Sequence, residues 1–148
     1  MKTMLRTQVH TSRAAFTLIE ILLVVVIIGM LVTIAVVNLS GQSKKAKLVV
    51  TQRQIDAYKT AIGVYEMDNG FFPSTEQGLE ALIAKPGSAP EPAHWKGPYL
   101  DPPVIRDDPW GSKYFYKCPG EKMPQSYDLY SSGPNRIAGD DDDIGNWM

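Results

Sequence analysis

This chain of 148 residues contains almost no cysteine, which excludes an internal disulfide bond and, with its few histidines, a zinc site. Cys118 is the only cysteine, so no disulfide can form within the chain. Histidine is nearly as scarce, because His94 is the only one beyond the first fifteen residues. A zinc site takes about four ligands, mostly histidine and cysteine, and these two residues cannot supply it.

An excess of one charge is also missing. Fifteen lysine and arginine residues balance 16 aspartate and glutamate residues, which gives a formal net charge of −1. Nucleic-acid-binding domains are strongly basic, so no nucleic-acid partner is expected. The sequence also shows no nucleophile with a neighbouring base and no glycine loop suited to phosphate. We therefore predict that the protein is not an enzyme.

A long apolar run is present near the start, from Phe16 to Leu39, and Glu20 is its only formal charge. At a rise of about 1.5 Å per residue, a helix over this run is about 36 Å long, which is enough to cross the hydrocarbon core of a bilayer. Residues 16–39 are therefore predicted to form a single transmembrane helix.

Glu20 is out of place in such a helix. An unpaired ionised carboxylate in hydrocarbon costs at least about 2.5–3.5 kcal/mol, so a partner is expected. The fifteen preceding residues carry three basic residues and no acidic one. If the chain were cut between Ala15 and Phe16, the new α-amino group would lie one helical turn from Glu20 and could pair with it, in the same helix or in a neighbouring one. We therefore predict an assembly contact at Glu20.

The helical pattern resumes beyond the apolar run. One face repeats at heptad spacing, with Leu48, Ile55 and Ile62 in one row, Thr51, Tyr58 and Tyr65 in the next, and Ala61 beside them. Because the repeat lasts under three heptads, we expect this face to pack on a sheet and not to form a coiled coil. Asn69-Gly70 is typical of a left-handed helix end. One long helix is therefore predicted over residues 16–68.

The remaining residues, 69–148, are predicted to form one globular α/β domain. Ser74 and Gln77 are spaced as a capping box for a short helix. The prolines of residues 85–109 exclude helix and central strand, and the aromatic residues among them predict an ordered loop over the core. Two antiparallel strands are predicted, at residues 113–117 and 126–131. The predicted fold class is α+β, a long N-terminal helix packed on a small antiparallel sheet.

The start of the chain resembles a known processing signal. A basic leader, the small residue Ala15, and Phe16-Thr17-Leu18-Ile19-Glu20 before an apolar run are similar to the class III signal of type IV pilins and pseudopilins. The resemblance implies that residues 1–15 are a cytoplasmic leader, that a prepilin peptidase cuts between Ala15 and Phe16, and that the amine of Phe16 is then methylated. The family usually has glycine where this chain has Ala15.

Four later segments narrow the resemblance: Pro73–Leu79, Trp95–Leu100, Asp108–Gly111 and Asp143–Trp147. In this order they are similar to the major, G-type pseudopilins of the type II secretion system, within the type IV pilin-like superfamily. The resemblance implies a single-pass protein of the bacterial inner membrane with its globular domain in the periplasm. It also implies a homopolymeric pseudopilus joined through N-terminal helices, which helps to export folded proteins. The implied partners are minor pseudopilins, the inner-membrane assembly platform with its motor ATPase, the outer-membrane secretin and the prepilin peptidase.

Four consecutive aspartates, Asp140–Asp143, lie near the end of the chain. From the residues alone they form either a solvated acidic loop or a Ca²⁺ site, since calcium prefers carboxylate, amide and backbone carbonyl oxygens. The resemblance implies a structural calcium loop. Its implied ligands are the carboxylates of Asp142 and Asp143, the side-chain oxygen of Asn135, and the backbone carbonyls of Ser132 and Asp140. The family usually has Asp-Gly where this chain has Asn135-Arg136, so we expect weaker calcium binding.

Two other interpretations remain open at this stage. A major pilin of a type IV pilus, acting in adhesion or motility, shares the N-terminal signal, although such pilins often carry a pair of cysteines near their C-terminal end. A simple signal anchor shares the apolar run, but it gives no reason for Glu20.

Overall fold

The structure is a computed structural model that describes residues 16–148, except for the side chains of residues 34–40. Two compact units divide the chain: the first ends at Gln42, and the second is Ser43–Met148. Helix α1 is Leu18–Asn69, a 3₁₀-helix is Leu79–Leu82, and the strands are β1 (Phe115–Lys117), β2 (Asp128–Ser131) and β3 (Ile144–Gly145). The predicted leader, residues 1–15, lies outside the described residues.

In the first unit, α1 exposes apolar side chains. The large apolar side chains described between Phe16 and Val32 are 45% to 86% exposed. Among residues 16–33 and 41–148, no helix combines the length and the apolar character that a membrane crossing requires. The transmembrane assignment of residues 16–39 stays a prediction.

The second unit buries the predicted face of α1. Thr51, Ile55, Tyr58, Ile62 and Tyr65 are fully buried, and Ala61 is 3% exposed. Leu48 differs from the prediction, since it is 44% exposed and lines an open groove beside the acidic loop. Burial of this face of α1 therefore begins at Thr51, one turn later than the heptad spacing indicated.

The end of α1 follows the predicted chemistry. Gly70 has a φ of 81°, and its N–H donates to the carbonyl of Glu66 at 2.7 Å. A left-handed residue directly after the last helical residue satisfies a carbonyl that the helix leaves without a partner. The chain thus leaves α1 at Asn69, one residue later than predicted.

Gln77 fixes the proline-rich loop. The two hydrogen bonds of the predicted capping box are present, because Ser74 Oγ accepts from the N–H of Gln77 at 3.2 Å and Gln77 Oε1 accepts from the N–H of Ser74 at 3.0 Å. They close a turn before the 3₁₀-helix and do not cap it, since the N-cap of that helix is Gly78. The same side chain donates through Nε2 to the carbonyls of Ser88 (2.8 Å) and Pro90 (3.0 Å). The indole of Trp95 then donates to the carbonyl of Ala81 at 2.9 Å. The loop is ordered and lies over the core, as predicted.

The three strands form one antiparallel sheet in the order β1-β2-β3. Phe115 pairs with Tyr130 in the first ladder, and Tyr130 pairs with Gly145 in the second. Leu129 and Ile144 join the buried face of α1 in a single core. Both predicted strands are present but shorter, and β3 was not predicted because two residues are too few to show an alternating pattern. The α+β fold class is confirmed.

Candidate functional sites: the start of the helix and the acidic loop

Glu20 lies in the first turn of α1. Its N–H donates to both the carbonyl (3.1 Å) and the hydroxyl (3.3 Å) of Thr17, so Thr17 caps the helix. A carboxylate at this end is favoured by the helix dipole by about 0.3–1 kcal/mol. The ion pairs that the structure describes within residues 16–148 all lie between Asp56 and Glu121, and none includes Glu20. The backbone of Glu20 is therefore capped by Thr17, and its carboxylate has no cationic partner among these residues.

Phe16 precedes the first helical residue by two positions and is 74% exposed. The predicted pairing partners, Phe16 and Glu20, thus lie at the same end of α1. Ala15, the other side of the predicted cleavage position, lies outside the described residues.

The acidic loop runs from the end of β2 to the start of β3. Gly133 has a φ of 65°, and a Cβ at this position would collide with the carbonyl oxygen of Asp142. Only glycine combines this backbone conformation with so close an approach. Gly133 therefore brings the two ends of the loop together.

A chain of hydrogen bonds ties this loop to the proline-rich segment. Gly133 N–H donates to Ser131 Oγ at 3.1 Å, and Ser131 Oγ donates to Asp108 Oδ2 at 2.5 Å. Asp108 Oδ1 also accepts from the N–H groups of Trp110 (3.0 Å) and Ser112 (2.8 Å). Asp108 is only 5% exposed, so its charge is compensated by these donors and not by water.

Three of the predicted calcium ligands meet in the loop. Asn135 Nδ2 donates to Asp140 Oδ2 and to Asp142 Oδ1, each at 2.6 Å. Asn135 Oδ1, the atom predicted to bind the ion, accepts from the N–H of Ile137 at 2.7 Å. The amide thus turns its nitrogen and not its oxygen toward the two carboxylates.

Asp143 is a predicted calcium ligand whose buried carboxylate lacks a hydrogen bond at one of its oxygens within the described residues. It is 3% exposed, and Oδ2 accepts from the N–H of Gly139 at 2.9 Å. Its Oδ1 is buried and has no hydrogen-bond partner within the described residues, and the same is true of Ser132 Oγ. A buried carboxylate oxygen without a partner costs about 1–3 kcal/mol or more. A cation at this oxygen would remove that cost, so the residues present fit the implied group.

The carboxylates of Asp140–Asp143 are not grouped as ligands of one metal ion. Among the side chains described in residues 16–148, no group of three or more His, Cys, Asp or Glu residues is placed to hold a metal ion. The predicted calcium ligands include only two carboxylates, and the others are an amide oxygen and backbone carbonyl oxygens. Calcium accepts such ligands, whereas zinc sites do not use them as a rule.

The electrostatics of the loop show that its carboxylates are crowded. A hydrogen bond with Asp142 and a second one from the Asn135 amide lower the pKa of the Asp140 carboxyl. The same contact with Asp140, together with burial, raises the pKa of Asp142. The pKa values of the two carboxyl groups therefore move in opposite directions, because each group acts on the other.

Asn146 joins the end of the loop to the sheet, and the sequence analysis did not identify it. Its Oδ1 accepts from the N–H of Leu129 at 3.0 Å, and its Nδ2 donates to the carbonyl of Tyr127 at 2.9 Å. Trp147 follows and packs on Tyr130 at 5.5 Å between ring centroids. The available signal in the sequence was its place beside Trp147 in the Asp143–Trp147 segment, because an amide that becomes buried there needs several partners.

Comparison with known proteins agrees with this architecture. The family model described as Type II secretion system (T2SS), protein G matches residues 38–147, and the model described as Prokaryotic N-terminal methylation motif matches residues 10–36. The chain is 44% identical over 140 residues to the type II secretion system core protein G of Pseudomonas aeruginosa, which covers 92% of this chain and 96% of the relative. The protein of the same name from Aeromonas hydrophila is 41% identical over 136 residues, covering 91% of this chain and 92% of the relative.

A solved structure is similar as well. The crystal structure of the major pseudopilin from the type 2 secretion system of enterohaemorrhagic Escherichia coli matches with a TM-score of 0.65 and 35% sequence identity. The match covers 72% of this chain and 87% of that chain. These matches favour a pseudopilin over the major pilin of a type IV pilus. They also confirm that the chain is a structural subunit and not an enzyme. The chain therefore belongs to the protein G family of the type II secretion system, the family of the major pseudopilins.

Proposed function

We propose that the chain is a structural subunit of a periplasmic pseudopilus that serves type II secretion. Residues 16–39 anchor it in the bacterial inner membrane as a single span, and the globular unit lies in the periplasm. The observation that carries the proposal is the exposed apolar surface of α1 between Phe16 and Val32, joined to a protein G domain in one chain. So large an apolar surface needs a cover of lipid or of neighbouring helices.

Assembly uses the start of α1 in this proposal. A prepilin peptidase removes residues 1–15, and the methylated amine of Phe16 then pairs with Glu20 of a neighbouring subunit. Capping by Thr17 supports this role, because it fixes the first turn that carries the carboxylate. An amine brought to Glu20 compensates the only charge of the apolar run.

The partners follow from the same proposal. Copies of this chain form a homopolymer through their N-terminal helices, and minor pseudopilins join the same filament. An inner-membrane assembly platform, driven by a motor ATPase, adds subunits. The filament then helps folded proteins to leave through the outer-membrane secretin.

Exchange of Glu20 for alanine tests the assembly step. Glu20→Ala is expected to leave membrane insertion unchanged and to reduce the pelletable filament fraction at least about tenfold, since a contact of about 1.4 kcal/mol is lost at every subunit. Glu66→Ala, on the exposed face of the same helix, is the matched control and is expected to assemble normally. Normal filaments from Glu20→Ala would contradict the pairing.

We further propose that the acidic loop binds Ca²⁺ in a structural role. Support comes from the buried Oδ1 of Asp143, which has no hydrogen-bond partner within the described residues, in a loop that also offers carboxylate, amide and carbonyl oxygens. Ser132, Asn135, Asp140, Asp142 and Asp143 would hold the ion. An ion that binds only the folded form adds about 2.7 kcal/mol of stability at a hundred times its Kd. Asn135 supplies one negative charge fewer than aspartate, and Arg136 adds a positive charge, so we expect weak binding.

Calcium binding is tested on the full chain in detergent after metal is stripped with a chelator. Added CaCl₂ is expected to raise the melting temperature, and Asp143→Asn is expected to abolish the rise. Asp141→Asn is the control, because Asp141 lies in the same loop with an exposed side chain and is not a proposed ligand. An unchanged melting temperature at millimolar CaCl₂ would overturn the proposal.

A further inference from the structure

The side chain of Asn135 occupies the space between two carboxylates of the acidic loop. Both of its N–H groups are in use, one on Asp140 Oδ2 and one on Asp142 Oδ1, at 2.6 Å each. Its oxygen is held by the N–H of Ile137 at 2.7 Å, which fixes the orientation of the amide. The positive end of the amide dipole therefore lies against Asp142 Oδ1, an oxygen of a carboxylate that is proposed to bind the ion.

We infer that Asn135 closes the acidic loop when no cation is bound, and that calcium must displace this contact before the amide oxygen can act as a ligand. An amide N–H and a cation both compensate carboxylate charge, but they cannot occupy the same position beside Asp142 Oδ1. Binding of an ion therefore requires the amide of Asn135 to turn over, so that Oδ1 replaces Nδ2. This inference rests on the calcium site proposed above.

This replacement of the Asn135 amide N–H by calcium affects both the stability of the calcium-free loop and its affinity for calcium. The loop keeps its conformation without calcium, because hydrogen bonds to charged groups replace part of what the ion supplies. The affinity for calcium falls as well, because the ion must break both contacts of Asn135 before it binds. An aspartate at position 135 would have the opposite effects. Without calcium it adds a third carboxylate that repels Asp140 and Asp142, and with calcium it attracts the ion.

The test compares three variants of the full chain in detergent: Asn135→Asp, Asn135→Ala and the control Asp141→Asn. Melting temperatures are measured in chelator and in CaCl₂, and the Kd for CaCl₂ alone is measured by titration calorimetry. In chelator, Asn135→Ala and Asn135→Asp are expected to melt at least about 4 °C below the unsubstituted chain, since about 1 kcal/mol shifts a domain of this size by that amount. Asp141→Asn is expected to melt within about 2 °C of it.

In CaCl₂, Asn135→Asp is expected to recover fully and to bind at least about tenfold more tightly than the unsubstituted chain, while Asn135→Ala binds no better. Equal melting temperatures of Asn135→Ala and the unsubstituted chain in chelator would overturn the inference. So would equal Kd values for Asn135→Asp and the unsubstituted chain. If neither Asn135→Asp nor the unsubstituted chain bound calcium, the calcium site and the displacement of Asn135 by calcium would both be refuted. The melting temperatures in chelator would still decide whether Asn135 closes the loop.

Discussion

Asp108 is the residue whose removal should damage the globular unit most clearly. Its buried carboxylate accepts from Trp110 N–H, Ser112 N–H and Ser131 Oγ at 2.5–3.0 Å. Asp108→Ala leaves these three donors without an acceptor, and each buried orphan costs about 1–3 kcal/mol. Some donors will find water after relaxation, so we expect a loss of about 3–5 kcal/mol in the free energy of unfolding.

That loss is large beside the 5–15 kcal/mol that is usual for a domain, and it corresponds to a fall in melting temperature of about 12–20 °C. Thermal unfolding of the full chain in detergent, followed by circular dichroism, measures it. Asp107→Ala is the control, because Asp107 is an exposed neighbour and its removal changes the net charge equally. A loss below about 1 kcal/mol for Asp108→Ala would refute the view that this carboxylate holds the loop to β2.

Three further predictions concern single positions. Arg136 has a φ of 63°, a strained conformation for a side chain, so Arg136→Gly should raise the unfolding free energy by about 0.5–1 kcal/mol in chemical denaturation. Burial raises the pKa of Tyr127 to about 12, so above pH 10 this tyrosine ionises first in the unfolded chain. Stability should therefore fall between about pH 10 and pH 12. Tyr127→Phe should make that fall shallower in melts taken across this range. A Cβ on Gly145 would collide with the indole of Trp147, so Gly145→Ala should cost about 1–3 kcal/mol and shift the tryptophan fluorescence to the red. Unchanged denaturation, pH profile or fluorescence, respectively, would contradict each one.

The elements with a long or local signal could be predicted from the sequence. The buried face of α1 repeats from Thr51 to Tyr65, and Asn69-Gly70 marks the helix end by glycine chemistry alone. The Ser74–Gln77 capping box is equally local, since both partners lie within one turn. Such features depend on neighbours in sequence, so they are visible in it.

The features that were missed depend on residues far apart in sequence. Asp108 and Ser131 are 23 residues apart, and no spacing rule connects them. The pairing of β2 with β3 depends on the acidic loop bringing two residues back to the sheet. The orientation of the Asn135 amide was also beyond the sequence, because either end of an amide can face a carboxylate loop until its other partner, the N–H of Ile137, is known.

In the proposed assembly, a cut before Phe16 exposes the amine that pairs with Glu20 of a neighbouring subunit. Intact-mass spectrometry of the chain recovered from isolated filaments tests it most directly. We predict a mass that begins at Phe16 and carries one added methyl group. Assembled filaments in which residues 1–15 are still attached would contradict the account.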